Sequence, residues 1–267
     1  MSIDTKKNER IVNQNTSFLN DVYRKAATGK RITKPSDDAA GLSIANSLAT
    51  DKTLLKQGRR NLDLSESALN IADGSYSQIS ELSIRMAELA TQASSSLLSN
   101  QQRESLNAEF QQLKEESQRI TATTEFNGTK LLENNSLTVQ AGNDGSSNST
   151  ISLNTANIDA LTNSLSSYAL TSQNTAQSAL DGIKTFANTL SQSRGTSGSF
   201  ANRLEFAKNL NSASEENLAA AQSRIEDYNY AEGMAEKSAG EIRLQASTSL
   251  AGQASRLNGQ VALALLT

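Results

Sequence analysis

Leucine recurs at every seventh position through Leu48, Leu55, Leu62 and Leu69, with Tyr76 taking the next place. A second seam, Ala72, Ile79, Met86 and Ala93, takes over where the first weakens to Ser83 and Ala90. Such a repeat forms one buried line only if the chain is helical and another helix lies against it. From about Leu42 to Ser95 it calls for a helix of roughly 80 Å at 1.5 Å per residue, longer than ordinary globular domains hold. Gly58 and Gly74 fall inside and cost about 1 kcal/mol each relative to Ala, so lateral packing must sustain the helix. With apolar residues at 36%, aromatics at 4% and no Trp, the chain suits narrow helical seams better than a compact aromatic core.

Ahead of the repeat, Val12, Leu19, Val22 and Ala26 mark the thin apolar face of a helix over about Arg10–Ala27. A face that thin needs a partner. Residues 1–34 carry a positive excess of about five charges, a solvated helix face or an arm for an acidic surface. The two helical patterns meet at Lys30–Ala45, a joint holding the only proline, Pro35. Pro35 pushes the preceding residue out of the helical region, and Ser36 and Asp37 are expected to accept from the free N–H groups of the helix that follows. Asp37-Asp38 could be imagined as a metal pair. Adjacent residues on a cap point apart and no further ligands accompany them, so they read as cap and joint.

Ser99 to Gln102 forms a capping box for a second helix, with the seam Leu106, Phe110, Leu113, Ser117 and Ile120. The short connection makes it antiparallel to the first, and Gly128 supplies a positive-φ turn after it. Leu137–Gln140 and Thr150–Leu153, separated by Gly142-Asn143-Asp144-Gly145, predict a β-hairpin. Residues 154–172, rich in Asn, Ser and Thr, are expected to be an exposed connection. Asn148-Ser149-Thr150 matches a glycosylation sequon by chance composition.

A third long pattern follows, with Ala176, Ala179, Ile183, Phe186, Leu190, Phe200, Leu204, Ala207, Leu210, Leu218, Ala221 and Ile225 on one side. Its phase is kept across Gly195-Thr196-Ser197-Gly198, so one continuous helix is expected. The last segment places Ala235, Ala239, Ile242, Ala246, Leu250, Leu257, Val261 and Ala264 on one face, and these are expected to pair with the N-terminal helix. Residues 226–267 carry an acidic excess of about two charges, opposite in sign to the first arm.

With no Cys and no His, thiol nucleophiles, imidazole bases, disulfides and the usual zinc sites are excluded. No motif supports catalysis or calls for a cofactor or metal. A net charge of −3 makes nucleic acid a poor partner, and no apolar run is long enough for membrane insertion. The polar start lacks a Sec-type apolar segment, which alone would suggest a cytoplasmic protein.

Several ordered motifs resemble those of bacterial flagellins. Thr28-Gly29-Lys30-Arg31-Ile32 and Ser36-Asp37-Asp38-Ala39-Ala40-Gly41-Leu42-Ser43-Ile44-Ala45 are similar to the family's N-terminal signature. Leu69-Asn70-Ile71-Ala72-Asp73-Gly74 and Arg85-Met86-Ala87-Glu88-Leu89-Ala90 resemble its first long helix, and Thr124–Leu132 its TxFNGxxLL turn. Ala221-Gln222-Ser223-Arg224-Ile225-Glu226-Asp227-Tyr228-Asn229-Tyr230-Ala231 and the leucine-rich close at Val261–Leu266 resemble its C-terminal region.

The resemblance implies a mainly α fold: long antiparallel helices in a rod with a small β-hairpin, and the N- and C-terminal helices paired as a coiled coil. It divides the chain into a filament-core arm with joint (1–41), rod helices (42–132), hairpin and connection (133–172), a returning rod helix (173–225) and a second core arm (226–267). Large variable outer domains are missing. It also implies a secreted, self-assembling subunit of the flagellar filament. Its partners are copies of itself, the type III export apparatus, an export chaperone on the C-terminal helix, and the filament cap and junction proteins. A hook–filament junction protein and a non-flagellar type III secreted coiled-coil protein are the alternatives. Arg31, Asp37 and Asp38 are then expected at contacts between subunits. Arg85, Leu89 and Glu109 match residues through which the vertebrate receptor TLR5 recognises some family members. Ile84 stands where those have Gln and Ala87 where they have Arg; losing the multidentate guanidinium predicts weaker recognition.

Overall fold

The computed structural model describes residues 5–133, 136–154 and 157–266. Residues 1–4 of the basic arm, residues 155–156 of the expected connection, and the side chains of Ala262, Leu263, Leu265 and Leu266 lie outside the described parts. The described residues form six α-helices: α1 (Thr5–Thr28), α2 (Ala39–Ala93), α3 (Asn100–Thr123), α4 (Ile158–Ser164), α5 (Gln173–Glu226) and α6 (Tyr230–Leu266). Two antiparallel strand pairs accompany them, β1 (Glu125–Phe126) with β2 (Thr129–Lys130), and β3 (Ser136–Gln140) with β4 (Thr150–Asn154). The chain divides into one unit of residues 53–215 and another made from its two ends, residues 1–52 and 216–267.

In unit 53–215 the heptad seam of α2 is buried as its spacing requires. Leu62, Leu69, Tyr76, Ile79, Met86 and Ala93 are all 5% exposed or less, and so are the weak positions Ser83 and Ala90. Antiparallel α3 supplies Phe110 and Ile120, and α5 supplies Ala176, Ala179, Ile183, Phe186 and Leu190 to the same core. The capping box at Ser99 is formed. Helix α5 runs unbroken through Gly195–Gly198. Ion pairs fix it antiparallel to α2: Arg194 with Asp73 at 2.7 Å, Lys208 with Asp63 and Glu66 at 2.7 and 2.8 Å, and Arg59 with Glu215 at 3.7 Å.

The β1–β2 turn places Asn127 and Gly128 at φ 50° and 77°, the two left-handed residues that a tight hairpin demands. In the larger hairpin Val139 pairs with Ile151, and Val139 packs with Leu62, Leu69 and Leu204. Two asparagines dock it: Asn61 donates to the Gln140 carbonyl at 3.0 Å and Asn211 to that of Ala141 at 2.8 Å. The Ala141 carbonyl approaches so near Gly58 that a side chain there would collide with it.

Two expectations fail in this unit. Residues 157–170 are not an exposed connection: Ile158, Leu165 and Leu170 are 1% exposed or less and belong to the main core. The segment is held by the buried ammonium of Lys114, which donates to the carbonyls of Ser166 and Tyr168 at 3.1 and 2.9 Å. Burial pushes the Lys114 amine below the usual lysine range. Leu210 is 67% exposed, and its neighbour Asn211 takes the buried place because the Ala141 carbonyl needs its amide.

Unit 1–52 with 216–267 pairs α1 antiparallel with α6. Asn15 donates to Ser247 at 3.1 Å, Tyr23 to Glu241 at 2.8 Å, and Tyr230 to the Ala26 carbonyl at 2.9 Å. Helix α1 uses the expected face, with Leu19 and Val22 buried and Val12 and Ala26 half-buried. Helix α6 does not. Its least exposed residues are Gly233, Lys237, Gly240, Leu244, Ser247, Ala251, Ala254 and Asn258, an alternation of four and three steps built mostly from small side chains. The apolar stripe expected to fill this seam faces away from it: Ile242 is 68%, Leu250 61% and Leu257 50% exposed.

Candidate subunit-assembly surfaces

The joint lies within the terminal unit. Gly29, at φ 68°, ends α1, and the chain then runs briefly antiparallel to the α5–α6 connection. Tyr228 N–H donates to the Gly29 carbonyl at 2.9 Å and Arg31 N–H to that of Glu226 at 2.6 Å. The Lys30 ammonium pairs with the Glu226 carboxylate, whose side chain is 9% exposed. That pairing, opposed by partial burial, holds the Glu226 carboxyl below its ordinary range.

Asp37 closes a turn rather than capping α2. Its Oδ2 accepts from Thr33 N–H and hydroxyl, both at 2.9 Å, and from Lys34 N–H at 3.0 Å. The Thr33 N–H, then its hydroxyl, hold the Asp37 carboxyl down to about 2 against desolvation, with smaller help from Lys34 N–H and Arg24. The cap of α2 falls one residue later, at Asp38, which accepts from Gly41 N–H at 2.8 Å. Pro35 accounts for the shift: it ends the extended entry, and the Lys34–Asp37 turn stands before the helix. Arg31 lies 3.6 Å from Asp38 and donates to the Ile225 carbonyl at 2.8 and 3.2 Å. All three expected contact residues are thus engaged inside their own chain, with half of the Arg31 side chain left exposed.

At the other expected site Arg85 and Glu109 pair at 2.7 Å, and Arg85 also meets Glu88 at 3.0 Å. Leu89 is not with them on the surface; it is 1% exposed and part of the core. Ile84 beside the pair is 59% exposed.

Among the described residues, the apolar stripe of α6 is an exposed surface that does not face α1. At 100° per residue, Ile242, Ala246, Leu250, Leu257 and Val261 centre about 120° around the helix from the seam that meets α1. Its exposed members include Ile242, Leu250, Leu257 and Val261. The stripe is apolar by its spacing, yet it does not face α1. The face that does meet α1 is marked by Gly240, which lets Leu19 and Phe18 of α1 lie close.

The pattern of the bacterial flagellin N-terminal helical region matches residues 2–137, and that of the C-terminal helical region residues 180–266. The chain belongs to the bacterial flagellins. It is 38% identical to the flagellin of Halalkalibacterium halodurans over 87% of this chain and 86% of that protein. The crystal structure of Bacillus cereus flagellin superposes with a TM-score of 0.52 at 28% identity, covering 57% of this chain and 88% of that one. A putative flagellar hook-associated protein from Vibrio parahaemolyticus gives a TM-score of 0.59 at 14% identity, over 72% of this chain and all of that one, a likeness of fold alone. This flagellin is therefore a helical structural subunit of the extracellular flagellar filament, and it lacks a large central domain. Among its described residues no helix is long and apolar enough to cross a membrane.

Proposed function

We propose that this flagellin polymerises through its terminal unit, and that neighbouring copies cover the exposed stripe of α6. The observation that carries this is the mismatch within α6: its polar and small residues pack inside the chain while Ile242, Leu250 and Leu257 face out. An apolar face of that length on a helix marks a surface made to be covered. Residues 1–41 and 226–267 act as the filament-core arms, and residues 42–132 and 173–225 as the rod with its hairpin and connection over 133–172. Arg31, Asp37 and Asp38 serve by ordering the Lys30–Gly41 turn within the terminal unit, and Arg31 adds the exposed half of its side chain to a neighbour.

Before assembly the same stripe is the surface for an export chaperone during passage through the type III apparatus. The cap and junction proteins meet the terminal unit at the filament's ends. Recognition by TLR5 is weak on this reading, because Arg85 and Glu109 engage each other, Leu89 is buried and Ile84 is apolar.

Ile242→Asp combined with Leu250→Asp tests the proposal. Both positions are exposed, so the isolated subunit should keep its circular dichroism and melting temperature while losing filament growth from seeds in electron micrographs. Normal filaments from this variant would assign assembly to another surface.

A further inference from the structure

The tip of the β1–β2 hairpin in unit 53–215 holds a reactive pair of residues that packing does not use. Asn-Gly occurs twice in the chain. Asn258-Gly259 lies inside α6, where the glycine N–H belongs to the helical ladder. Asn127-Gly128 forms the hairpin tip, with both residues exposed and both at positive φ. Asn tolerates that conformation better than most residues, but it still stores some strain there. Among the described residues neither the Asn127 side-chain amide nor the Gly128 N–H is held by a hydrogen bond. Gly128 also has open space where a side chain would stand, so nothing shields its nitrogen.

The hairpin around the pair is short. Its ladder is Glu125 with Lys130 and Phe126 with Thr129, and Lys130 ties its base by donating to the Ala122 carbonyl and the Glu125 carboxylate, both at 2.7 Å. Two residues per strand open locally without disturbing the helices. When the tip flexes, the Gly128 nitrogen meets the Asn127 side-chain carbonyl carbon, Cγ.

We infer that Asn127 is a self-modifying site. The Gly128 nitrogen, having given its proton to hydroxide, forms a bond to Asn127 Cγ. The Cγ–Nδ2 bond breaks and the amide nitrogen takes a proton from water, leaving as ammonia and regenerating the hydroxide. One water then opens the resulting succinimide at either carbonyl, giving aspartate or isoaspartate. One water enters for each ammonia that leaves, and no electrons are exchanged. Both products replace a neutral amide with a carboxylate that is ionised at neutral pH. That charge stands at the rim of the apolar cleft lined by Leu64, Phe126, Leu131 and Val139. Isoaspartate also routes the main chain through Cβ, adding an atom to a turn that closes on two left-handed residues. The Phe126–Thr129 register is then lost, and Phe126 loosens from the main core against which it packs. The unit thus records the age of the subunit in its own turn.

The test holds the full-length protein in mildly alkaline buffer and reads each asparagine in digested samples by mass spectrometry, with fragmentation that separates isoaspartate from aspartate. Asn127 should convert roughly tenfold or more faster than Asn61 and Asn211, which are locked in helices with their side-chain amides hydrogen-bonded. The rate at Asn127 should rise with hydroxide concentration, and isoelectric focusing should show a growing acidic species. Exchange of the β1–β2 backbone amides should rise in the converted protein. Asn127→Asp, which places the charge without the added main-chain atom, should exchange more slowly there than the isoaspartyl form. If Asn127 converts in the urea-denatured chain but outlasts Asn61 and Asn211 in the folded one, the turn protects it and the inference is overturned. Failure to convert in either state overturns it as well. Conversion with unchanged exchange overturns the loosening of Phe126 and leaves the site standing.

Discussion

The two units of the chain are built from the same kind of helix but bury different things. Unit 53–215 encloses whole side chains, with Tyr76, Phe110, Phe186, Ile79, Met86 and Leu132 at 1% exposure or less. The terminal unit encloses little: Leu19 and Val22 on α1, Ala254 on α6, and Ile32 and Ala45 at the joint. The α1–α6 seam includes Asn15, Ser247 and Gly240, residues that fix register but contribute little transfer free energy. One unit can hold itself together by burial. The other is held by a register of polar contacts and leaves its best apolar surface outside.

The sharpest way to break this contrast is Phe110→Ala. Phe110 is fully buried against α2, so truncation should destabilise unit 53–215 by about 3–5 kcal/mol, read as a lower midpoint in thermal unfolding. A change below about 1 kcal/mol would mean that this core is not what stabilises the unit. Next comes Gly240→Val, which forces a branched side chain against Leu19 and Phe18. A loss of about 1–3 kcal/mol is expected, confined to amide-exchange protection of α1 and α6 while unit 53–215 stays protected. The smallest effect is acid-driven. Asp37 is held near 2, below the ordinary 3.8, so its contribution is fully present above pH 3.8 and is lost as pH falls through about 2. Exchange at Thr33 and Lys34 N–H should rise across that window, and Asp37→Asn should flatten the response.

Much of unit 53–215 was legible in the sequence because its signals were redundant. The heptads of α2 and the phase of α5 across Gly195–Gly198 depend on many residues each, and one weak position does not alter them. What escaped was decided by single polar or small groups. The burial of Ile158, Leu165 and Leu170 depends on the Lys114 ammonium finding two carbonyls far along the chain, which the polar composition of that segment conceals. Asn211 displaced Leu210 for one carbonyl, and Asp38 displaced Asp37 as a cap for one N–H. Of the expected site residues, Arg85 and Glu109 come together, whereas Leu89 turns inward because it continues the buried face of α2. The α6 seam was hidden for a different reason: apolar periodicity marks the face that wants burial, and it does not say which molecule provides it.

That thin α1–α6 seam makes the folding of the terminal unit a matter of mass action. A dilute subunit holds its ends by hydrogen bonds and a few methyl groups; under the proposed assembly a stacked one adds the α6 stripe, and whatever binds only the ordered state stabilises it. Peptidases cut chains that open, so the same assembly would leave unincorporated subunits open to trimming at both ends and shield those in the polymer. Under the proposed assembly, a subunit clipped at its ends would lose the surface by which it joins.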